Sequence, residues 1–413
     1  MNEIKLFTVG VTGTNGKTSV TQWIAQALAA LGDRCAIVGT LGNGFPGALA
    51  ESPNTTPGAA VLKELMPEFV RQGATACAME VSSIGLHQGR VAGIRFDVAV
   101  FTNFTRDHLD YHGTMAAYAA EKRKLFEMPD LCTAVLNLDD PFGVDLVARL
   151  KGRVATIGYT LEGGGGTDTV LSAVDLVETG AGIAFTLDGV RFTAPVVGRF
   201  NASNLLAVTG ALLAGGRSLP EIAAALAALV APAGRMETLG GDALPLVVVD
   251  YAHSPDALEK VLTTLSGTAA ARGGKLVCVF GCGGDRDAGK RPLMGAIAER
   301  LADQVILTSD NPRSEDPQAI IAAIRAGVKG AVMIEADRAA AIRLAVREAD
   351  ANDVILLAGK GHEPYQEIAG VRLPFSDCEI AQSALAGRRE RSALTGRRDV
   401  QQPSGIPGEP AEC

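Results

Sequence analysis

The chain has 413 residues, of which 47% are hydrophobic and 20% are charged, and this globular composition excludes a disordered chain. Its length is too great for one ordinary core and fits two domains with a small additional segment. The formal net charge of −8 excludes the clustered basic surface that nucleic-acid binding needs. We expect no signal peptide and no membrane span, and seven cysteines without regular spacing exclude a disulfide framework. We therefore predict a cytoplasmic protein that binds neither nucleic acid nor membrane.

The first half of the chain alternates short apolar runs with helical patterns. The runs that we interpret as buried parallel strands are residues 6–12, 35–39, 76–81, 98–103 and 134–137. Helices are predicted between them at residues 17–31, 59–72 and 115–127. This order predicts a doubly wound parallel α/β sheet, which binds its ligands at the carboxyl ends of the strands.

The pattern changes in the middle of the chain, and the α/β alternation then restarts. Residues 180–193 alternate in a way that predicts an antiparallel meander, and helices are predicted at residues 201–214 and 220–229. After a linker with Pro and Gly at 231–235, strands are predicted at residues 246–251, 276–280, 304–308, 332–334 and 354–357. We therefore predict a P-loop domain at 1–231, a smaller Rossmann-like α/β domain at 232–390, and a disordered polar tail at 391–413.

A glycine-rich turn joins the first predicted strand to the first predicted helix and carries the strongest motif of the sequence. Backbone N–H groups of such a turn converge on phosphate oxygens, and the helix N-terminus adds the positive end of its dipole. Lys17 would neutralise the β- and γ-phosphates of ATP, and the Thr18 hydroxyl would ligate Mg²⁺. Val11 stands where the general P-loop pattern has its first glycine. The predicted ATP-binding residues of this loop are Gly13, Thr14, Asn15, Gly16, Lys17, Thr18 and Ser19.

Two candidate metal ligands follow later strands of the same predicted sheet. Glu80 ends one strand, and His108 lies just past the next one. Both side chains should therefore project at the carboxyl edge of the sheet, where the phosphates are expected. A carboxylate oxygen and an imidazole nitrogen can hold a second Mg²⁺ that bridges the γ-phosphate and an acceptor carboxylate. We predict catalytic and metal-binding roles for both residues.

The remaining motifs follow one another in an order that resembles a known family. They include the blocks Asn54-Thr-Thr, Glu80-Val-Ser-Ser, Asp110-Tyr-His-Gly, Gly234-Arg-Met-Glu, Asp250-Tyr-Ala-His and Gly281-Cys-Gly-Gly-Asp-Arg. From about residue 8 to residue 385 the chain resembles the MurE branch of the Mur ligases, whose P-loop variant folylpolyglutamate synthetases share. The resemblance implies an ATP-dependent ligase that joins a carboxylate to an amine through an acyl-phosphate. The acid would be UDP-N-acetylmuramoyl-L-alanyl-D-glutamate, in peptidoglycan synthesis.

The resemblance also implies roles for individual residues around the ATP site. Lys122 matches a lysine that family members carbamylate, and a carbamate oxygen would help to hold Mg²⁺. Asn204 resembles the asparagine beside the adenine, while Arg235 and Asp250 resemble residues that bind ATP from the second domain. These roles imply that the two domains close over the nucleotide. The residues that match the muramoyl dipeptide site are Asn54, Thr55, Thr56, Ser82, Gln88 and Arg90.

The second predicted domain carries the residues that would choose the amine. Ser309-Asp-Asn-Pro-Arg matches the motif of the branch that adds meso-diaminopimelate, which has a second ammonium and a second carboxylate beyond its reacting end. A guanidinium can grip that carboxylate through two hydrogen bonds, whereas Asp310 and Glu363 can receive the ammonium. The predicted residues of this amine site are Arg286, Asp310, Asn311, Pro312, Arg313, Gly359 and Glu363.

Two departures from the family pattern leave alternatives open. Ile84 stands where many members have a histidine, and family members carry a further N-terminal domain that binds the uridine diphosphate, so weak uridine affinity is expected if the chain is complete. The alternatives are a repurposed ligase for another acid, a folylpolyglutamate-type ligase, and an inactive nucleotide-binding scaffold. The proton of the attacking amine would go to His253, to His112 or to the phosphate. We expect a monomer.

Overall fold

The computed structural model describes residues 6–179, 182–241 and 243–399. Its largest sheet has nine strands in the order β4-β3-β2-β5-β1-β6-β7-β8-β9. The strands are β1 Phe7–Thr12, β2 Cys35–Gly39, β3 Gly42–Phe45, β4 Ala48–Ala50, β5 Ala76–Glu80, β6 Val98–Phe101, β7 Thr133–Asn137, β8 Ala155–Thr160 and β9 Thr169–Ser172. Neighbouring strands are parallel except at one edge, where β3 pairs antiparallel with both β2 and β4. The predicted parallel strands are confirmed, whereas the glycine-rich hairpin and the strands β8 and β9 were not predicted.

Helices cover both faces of this sheet, as a doubly wound fold requires. Along β5 the side chains alternate, because Ala76 and Ala78 face one core while Cys77 and Met79 face the other. The first core is closed by α1 Lys17–Ala30, α7 Arg199–Ala214 and α8 Leu219–Leu226. The second is closed by α2 Ala59–Arg71, α3 Ser83–His87, α5 Met115–Arg123, the 3₁₀ turn Lys124–Glu127 and α6 Pro141–Leu150. The short helix α4 Leu109–His112 lies at the sheet edge. The predicted fold class is confirmed.

A three-stranded antiparallel sheet follows the large one. Its strands are β10 Val174–Thr179, β11 Gly182–Leu187 and β12 Val190–Ala194, in that order. Alternate residues of β11, namely Ile183, Phe185 and Leu187, point into the core that α1 and α7 share. The Phe185 and Phe192 rings stack with their centroids 5.2 Å apart. The predicted meander is confirmed for the described residues of 180–193.

The six-stranded sheet lies wholly after residue 236. Its order is β13-β14-β18-β15-β16-β17, and every neighbouring pair is parallel except β13 with β14. The strands are β13 Glu237–Gly240, β14 Leu246–Asp250, β15 Leu276–Phe280, β16 Gln304–Leu307, β17 Met333–Ile334 and β18 Val354–Ala358. One face carries α9 Pro255–Arg272, α10 Lys290–Leu301 and α11 Pro317–Arg325, and the other carries α12 Arg338–Glu348 and α13 Asp377–Asp399.

Part of the predicted disordered tail at 391–413 lies within the described residues. Helix α13 continues through residues 391–399, where Arg, Ala and Leu favour a helix although the segment is polar. Residues 400–413 lie outside the described part of the chain. A hairpin of β19 Tyr365–Ile368 and β20 Val371–Pro374 precedes this helix. No helix in the described ranges is long and apolar enough to cross a membrane.

Two helical glycines offer a matched test of how closely α7 packs on the large sheet. A Cβ at Gly210 would lie 2.6 Å from Val135 Cγ1, whereas one at Gly267 in α9 would meet nothing within 4 Å. Alanine favours a helix over glycine by about 1 kcal/mol, but overpacking a core costs about 1–3 kcal/mol. We expect Gly267→Ala to raise the free energy of unfolding and Gly210→Ala to lower it, as measured by urea denaturation. Equal effects of the two changes would contradict the close packing.

Candidate active site

The carboxyl ends of β5, β1 and β6 meet because these three strands are neighbours in the large sheet. The P-loop follows β1, Glu80 ends β5, and His108 follows β6. They open onto a cleft of about 400 Å³ between the large sheet and the second domain. Residues of the second domain, including Arg235, Asp250 and His253, line the same cleft. The strand order therefore brings together groups that are far apart in the sequence.

The P-loop is held rigidly by polar groups that follow β6. Thr14 N donates to Asn103 O at 2.8 Å, Asn15 N donates to Asn103 Oδ1 at 2.9 Å, and Thr102 Oγ1 donates to Asn15 O at 2.6 Å. A Cβ on Gly13 would lie 1.8 Å from Thr102 Oγ1, so only glycine fits this approach. Helix α1 begins after Gly16, whose φ is 85°, and no side chain caps its first turn. The first N–H groups of α1 therefore remain available to an anion.

Two lysine side chains share the carbonyl oxygen of Gly13. Lys17 Nζ donates to Gly13 O at 3.0 Å and to Thr14 O at 2.8 Å. Lys122 Nζ donates to Gly13 O at 2.7 Å and lies 4.5 Å from the centroid of the Tyr118 ring. Burial, together with the charge of Lys17, holds the pKa of Lys122 well below its ordinary value. This shift increases the fraction of neutral amine at Lys122 relative to an exposed lysine, and the neutral amine is the form that reacts with carbon dioxide.

The carboxylate of Glu80 lies between two threonines of neighbouring elements. Its Oε2 accepts from Thr18 Oγ1 at 3.0 Å and from Thr40 Oγ1 at 3.1 Å, and its Oε1 accepts from Thr40 N at 2.8 Å. Glu80 is buried. A carboxylate and a hydroxyl oxygen 3.0 Å apart form a donor set of the kind that suits Mg²⁺ together with phosphate and water oxygens.

His108 sits at the start of α4 with a φ of 52°. Its Nε2 lies 3.5 Å from Asp107 Oδ2. Burial, with the charges of Lys17 and Lys122, lowers the pKa of His108 to about 4, although Asp107 opposes the shift. The imidazole is therefore neutral near pH 7, as a metal ligand must be. Within the described ranges no three His, Cys, Asp or Glu side chains converge as a metal cluster.

The second domain reaches the P-loop through two further residues. Arg235 Nη2 donates to Thr18 Oγ1 at 3.2 Å, and its guanidinium stacks 4.5 Å from the Tyr251 ring centroid. Its buried Nε has no hydrogen-bond partner among the residues that the structure describes. Asp256, in the first turn of α9, accepts from Asn15 Nδ2 at 3.0 Å and from Thr105 Oγ1 at 3.2 Å. Asn204 also borders the loop, since a Cβ on Gly16 would lie 2.5 Å from Asn204 Oδ1.

Asp250 lies at the carboxyl end of β14 and lines the cleft. Its Oδ2 accepts from Met236 N at 2.8 Å. Burial raises the pKa of Asp250 to about 6, while Arg235 and the backbone N–H of Met236 oppose the shift. The carboxyl group therefore titrates close to neutral pH.

The predicted dipeptide residues form a hydrogen-bonded group beside Glu80. Thr56 Oγ1 donates to Glu80 O at 2.9 Å and lies 3.0 Å from Ser82 Oγ. Arg90 Nη1 donates to Thr56 O at 2.7 Å, and Arg90 Nε donates to Gln88 Oε1 at 2.8 Å. Of the predicted set only Thr55 lines the cleft itself, and Asn54 is exposed.

The predicted amine residues form a separate group at the carboxyl ends of β16 and β18. Asn311 Nδ2 donates to Glu363 Oε2 at 2.7 Å, and a Cβ on Gly359 would lie 2.5 Å from Asp310 Oδ2. Arg313 Nη1 donates to Gly284 O at 2.7 Å, next to the Pro312 carbonyl. Arg286 is exposed. None of these residues lines the nucleotide cleft, so the structure does not bring the two groups together.

The comparison with known proteins agrees with this arrangement. Residues 11–212 match the Mur ligase middle domain, and residues 234–361 match the Mur ligase glutamate ligase domain. A UDP-N-acetylmuramoyl-L-alanyl-D-glutamate–2,6-diaminopimelate ligase of Ralstonia nicotianae is 54% identical over 391 residues, which are 92% of this chain and 76% of the relative. The protein of the same name from Pseudomonas aeruginosa is 55% identical over 92% of this chain and 77% of its own length.

The chain belongs to the Mur ligase family. A solved UDP-N-acetylmuramoyl-L-alanyl-D-glutamate–2,6-diaminopimelate ligase aligns with a TM-score of 0.67 at 40% identity, over 93% of this chain and 79% of that one. Folylpolyglutamate synthase of Mycobacterium tuberculosis also aligns with a TM-score of 0.67, but at 21% identity. The alignment covers 86% of this chain and 88% of that synthase. The fold alone therefore does not separate the two kinds of ligase, whereas the sequence does. The predicted family and its ligase activity are confirmed.

Several residues around the site of this Mur ligase were missed by sequence reasoning. Thr40, Asn103 and Asp256 position the P-loop or Glu80, and the buried Lys360 contacts the amine group. Thr40 follows the predicted strand at 35–39, Asn103 ends the one at 98–103, and Asp256 comes soon after the Asp250-Tyr-Ala-His block. Only the folded chain shows where these side chains lie. Lys360 could have been found from the sequence, because it lies between Gly359 and Glu363, which were both predicted for the amine site.

The titration of Asp250 makes the stability of this Mur ligase depend on pH. The pKa of Asp250 is about 6 in the folded protein and has an ordinary value of 3.8. The folded state therefore holds the proton more tightly than the unfolded state, and the free energy of unfolding falls as the pH rises through 6. Asp250→Asn should therefore be more stable than wild type by up to about 3 kcal/mol at alkaline pH, because one pKa unit is about 1.4 kcal/mol. The advantage should vanish in acid.

Urea denaturation of wild type and Asp250→Asn across this pH range measures the effect. The matched control is Asp188→Asn, because Asp188 is exposed in the turn between β11 and β12. If the difference in the free energy of unfolding between wild type and Asp250→Asn does not change with pH, the raised pKa of Asp250 is contradicted.

Proposed function

We propose that the protein adds meso-diaminopimelate to the D-glutamate carboxylate of UDP-N-acetylmuramoyl-L-alanyl-D-glutamate, with ATP as the energy source, in peptidoglycan synthesis. The supporting observation is the meeting of the P-loop, Lys122 and Glu80 at one sheet edge. It occurs in a chain that is 54% identical to a relative carrying that name. ATP and a nucleotide-linked acid are intracellular small molecules, which suits a monomeric cytoplasmic enzyme. We place its two domains at 1–231 and 232–390.

ATP would bind with its triphosphate on the loop of Gly13 to Ser19. The first N–H groups of α1 and the ammonium of Lys17 would contact the phosphate oxygens. Asn204 and Arg235 border the same loop and would complete the nucleotide site with Asp250. Because Arg235 and Asp250 come from the second domain, nucleotide binding would favour the closed arrangement of the two domains.

The donor set at the sheet edge fits Mg²⁺. Thr18 and Glu80 already lie within hydrogen-bonding distance of each other, and His108 is neutral at pH 7. Lys122 would add a carbamate oxygen, since its low pKa supplies the neutral amine. When bound, Mg²⁺ would screen the charge of the phosphates and of the acceptor carboxylate.

The reaction would then proceed in two displacements. The glutamyl carboxylate oxygen attacks the γ-phosphorus in line, ADP leaves, and the product is an acyl-phosphate. Lys17 remains on the phosphate oxygens as the negative charge shifts. The amine nitrogen then attacks the acyl carbon, inorganic phosphate leaves, and the amide forms. His253 lines the cleft with Nδ1 2.8 Å from Tyr251 O, which leaves Nε2 as a candidate acceptor for the amine proton.

The acid and the amine would occupy the two polar groups that flank the cleft. Thr55, Thr56 and Ser82, with Asn54, Gln88 and Arg90, would hold the muramoyl dipeptide beside Glu80. Arg313, with Arg286 and Pro312 nearby, would take the distal carboxylate of meso-diaminopimelate. Asp310 and Glu363 would take its distal ammonium, next to Asn311 and Gly359.

Removal of either lysine that donates to Gly13 O tests the catalytic assignment. Lys17→Ala should abolish ATP turnover, and Lys122→Ala should lower kcat by about 10²–10³-fold, as the loss of one group that stabilises transition-state charge does. Acetate or formate should partly restore the Lys122→Ala variant, because a small carboxylate can replace a carbamate. Release of inorganic phosphate measures both effects.

The control for Lys122→Ala is Lys124→Ala, since Lys124 lies on the same segment but is exposed and pairs with Glu121. Circular dichroism of each variant would show that the fold persists. A wild-type rate in Lys122→Ala would remove this residue from the site.

Arg313 tests the choice of amine. In wild type kcat/KM should be higher for meso-diaminopimelate than for L-lysine, which lacks the distal carboxylate. Arg313→Ala should erode the preference, because a desolvated charge contact is worth about 2–5 kcal/mol. The matched control is Arg343→Ala, an exposed arginine of the same domain. Equal kcat/KM for the two amines in wild type would refute the proposed substrate.

A further inference from the structure

A fully buried lysine lies behind the amine site. The side chain of Lys360 is 0% exposed, and its Nζ lies 5.6 Å from the Tyr365 ring centroid and 5.8 Å from that of Phe375. It follows Gly359 directly, at the carboxyl end of β18. A buried ammonium is costly unless it is paired and hydrogen-bonded. The partners that stabilise Lys360 should therefore show what it does.

Both partners of Lys360 belong to the proposed amine site. Its Nζ donates to Asn311 Oδ1 at 3.0 Å and to Glu363 Oε2 at 3.2 Å. Asn311 Nδ2 donates to the same oxygen, Glu363 Oε2, at 2.7 Å. Asn311 Oδ1 also accepts from Glu367 N at 2.9 Å, and the two donors orient the amide with its nitrogen towards Glu363. Lys360 thus connects the Asn311 amide with the Glu363 carboxylate.

The arrangement leaves one oxygen of each acid for a ligand. Glu363 Oε2 accepts two hydrogen bonds, but Oε1 accepts none from the described residues. Asp310 Oδ1 accepts from Asn311 N at 2.7 Å, whereas Oδ2 points towards Gly359, where a Cβ would lie only 2.5 Å away. A cationic ligand between Glu363 Oε1 and Asp310 Oδ2 would satisfy both.

We propose that Lys360 is a positioning residue for the amine substrate. It holds the Asn311 amide and one oxygen of Glu363, so that the other Glu363 oxygen receives the distal ammonium of the diamine. The assignment rests on the proposed function for the identity of this ligand. Lys360 also favours the anionic form of Glu363, because its Nζ lies 3.2 Å from Glu363 Oε2.

Other charged groups act on Glu363 as well. Burial raises its pKa, Lys360 lowers it, and Asp310 raises it further. The charge of Glu363 also raises the pKa of three neighbouring groups, Arg338, Tyr251 and Tyr365. With Lys360 removed, the pKa of Glu363 should rise, so that the carboxylate would be lost at a higher pH than in wild type.

Lys360→Met keeps the length of the side chain and removes its charge. We expect the KM for meso-diaminopimelate to rise by about tenfold, since a charged hydrogen-bonding partner is lost, while the KM for ATP stays unchanged. The factor by which Lys360→Met raises this KM should become larger as the pH falls. In a Glu363→Gln background, Lys360→Met should cause little further change, because its effect acts through that carboxylate. Lys329→Met, at an exposed lysine of the same domain, is the matched control.

A rise in both KM values, or the same effect of Lys360→Met in both backgrounds, would overturn the proposal in favour of a general structural role. A second measurement needs no substrate. The stability difference between wild type and Lys360→Met should narrow as the pH falls through the pKa of Glu363, because protonation removes the charge that Lys360 pairs with. A difference independent of pH would also overturn it. If the wild-type protein does not turn over meso-diaminopimelate, the proposed function is refuted. The pH dependence of the stability difference then decides whether Lys360 positions Glu363.

Discussion

Two lysine side chains meet on one carbonyl oxygen at the edge of the large sheet, and neither forms an ion pair within the described part of the chain. Lys17 and Lys122 both donate to Gly13 O, and burial lowers the pKa of each. The lowered pKa favours an uncharged Lys122, whereas the ammonium of Lys17 is buried and is unfavourable there unless an anion is supplied. The proposed triphosphate would supply that anion. The loop therefore places a buried cation where an anion can bind, and its hydrogen bonds with Thr102 and Asn103 hold the loop in position.

The second domain completes this site from the other side. Arg235 reaches Thr18, and Asp256 reaches Asn15 and Thr105, so both contacts connect the domains through the loop that would carry the phosphates. The amine group of Asp310 and Glu363 lies apart from the cleft, at the ends of other strands. Under the proposed function, substrates bound to these separate surfaces would have to be brought together. The contacts of the second domain with the P-loop would couple that approach to nucleotide binding.

The amine group differs from the nucleotide site in how its charge is balanced. Lys360 is fully buried but paired with Glu363 and Asn311, and Arg338 is fully buried but paired with Asp377 through two hydrogen bonds. Arg338 also donates to Ala358 O at 3.0 Å, next to Gly359. These internal pairs hold the backbone and the acidic side chains in place before a ligand arrives, which reduces the ordering cost of binding.

The sequence by itself determined the parallel strands that carry the motifs, the P-loop and the family, because periodicity, glycine positions and local motifs are properties of neighbouring residues. It missed the strands β8 and β9 and the β3–β4 hairpin, in which the glycines of β3 have little intrinsic preference for a sheet. Only the tertiary structure decided which side chains meet. The placement of Glu80 against Thr18 and Thr40, the shared carbonyl of Lys17 and Lys122, and the pairing of Lys360 with Glu363 depend on strand order and burial. Strand order sets the distances between residues that are far apart in the chain, and burial sets how strongly their side chains are desolvated.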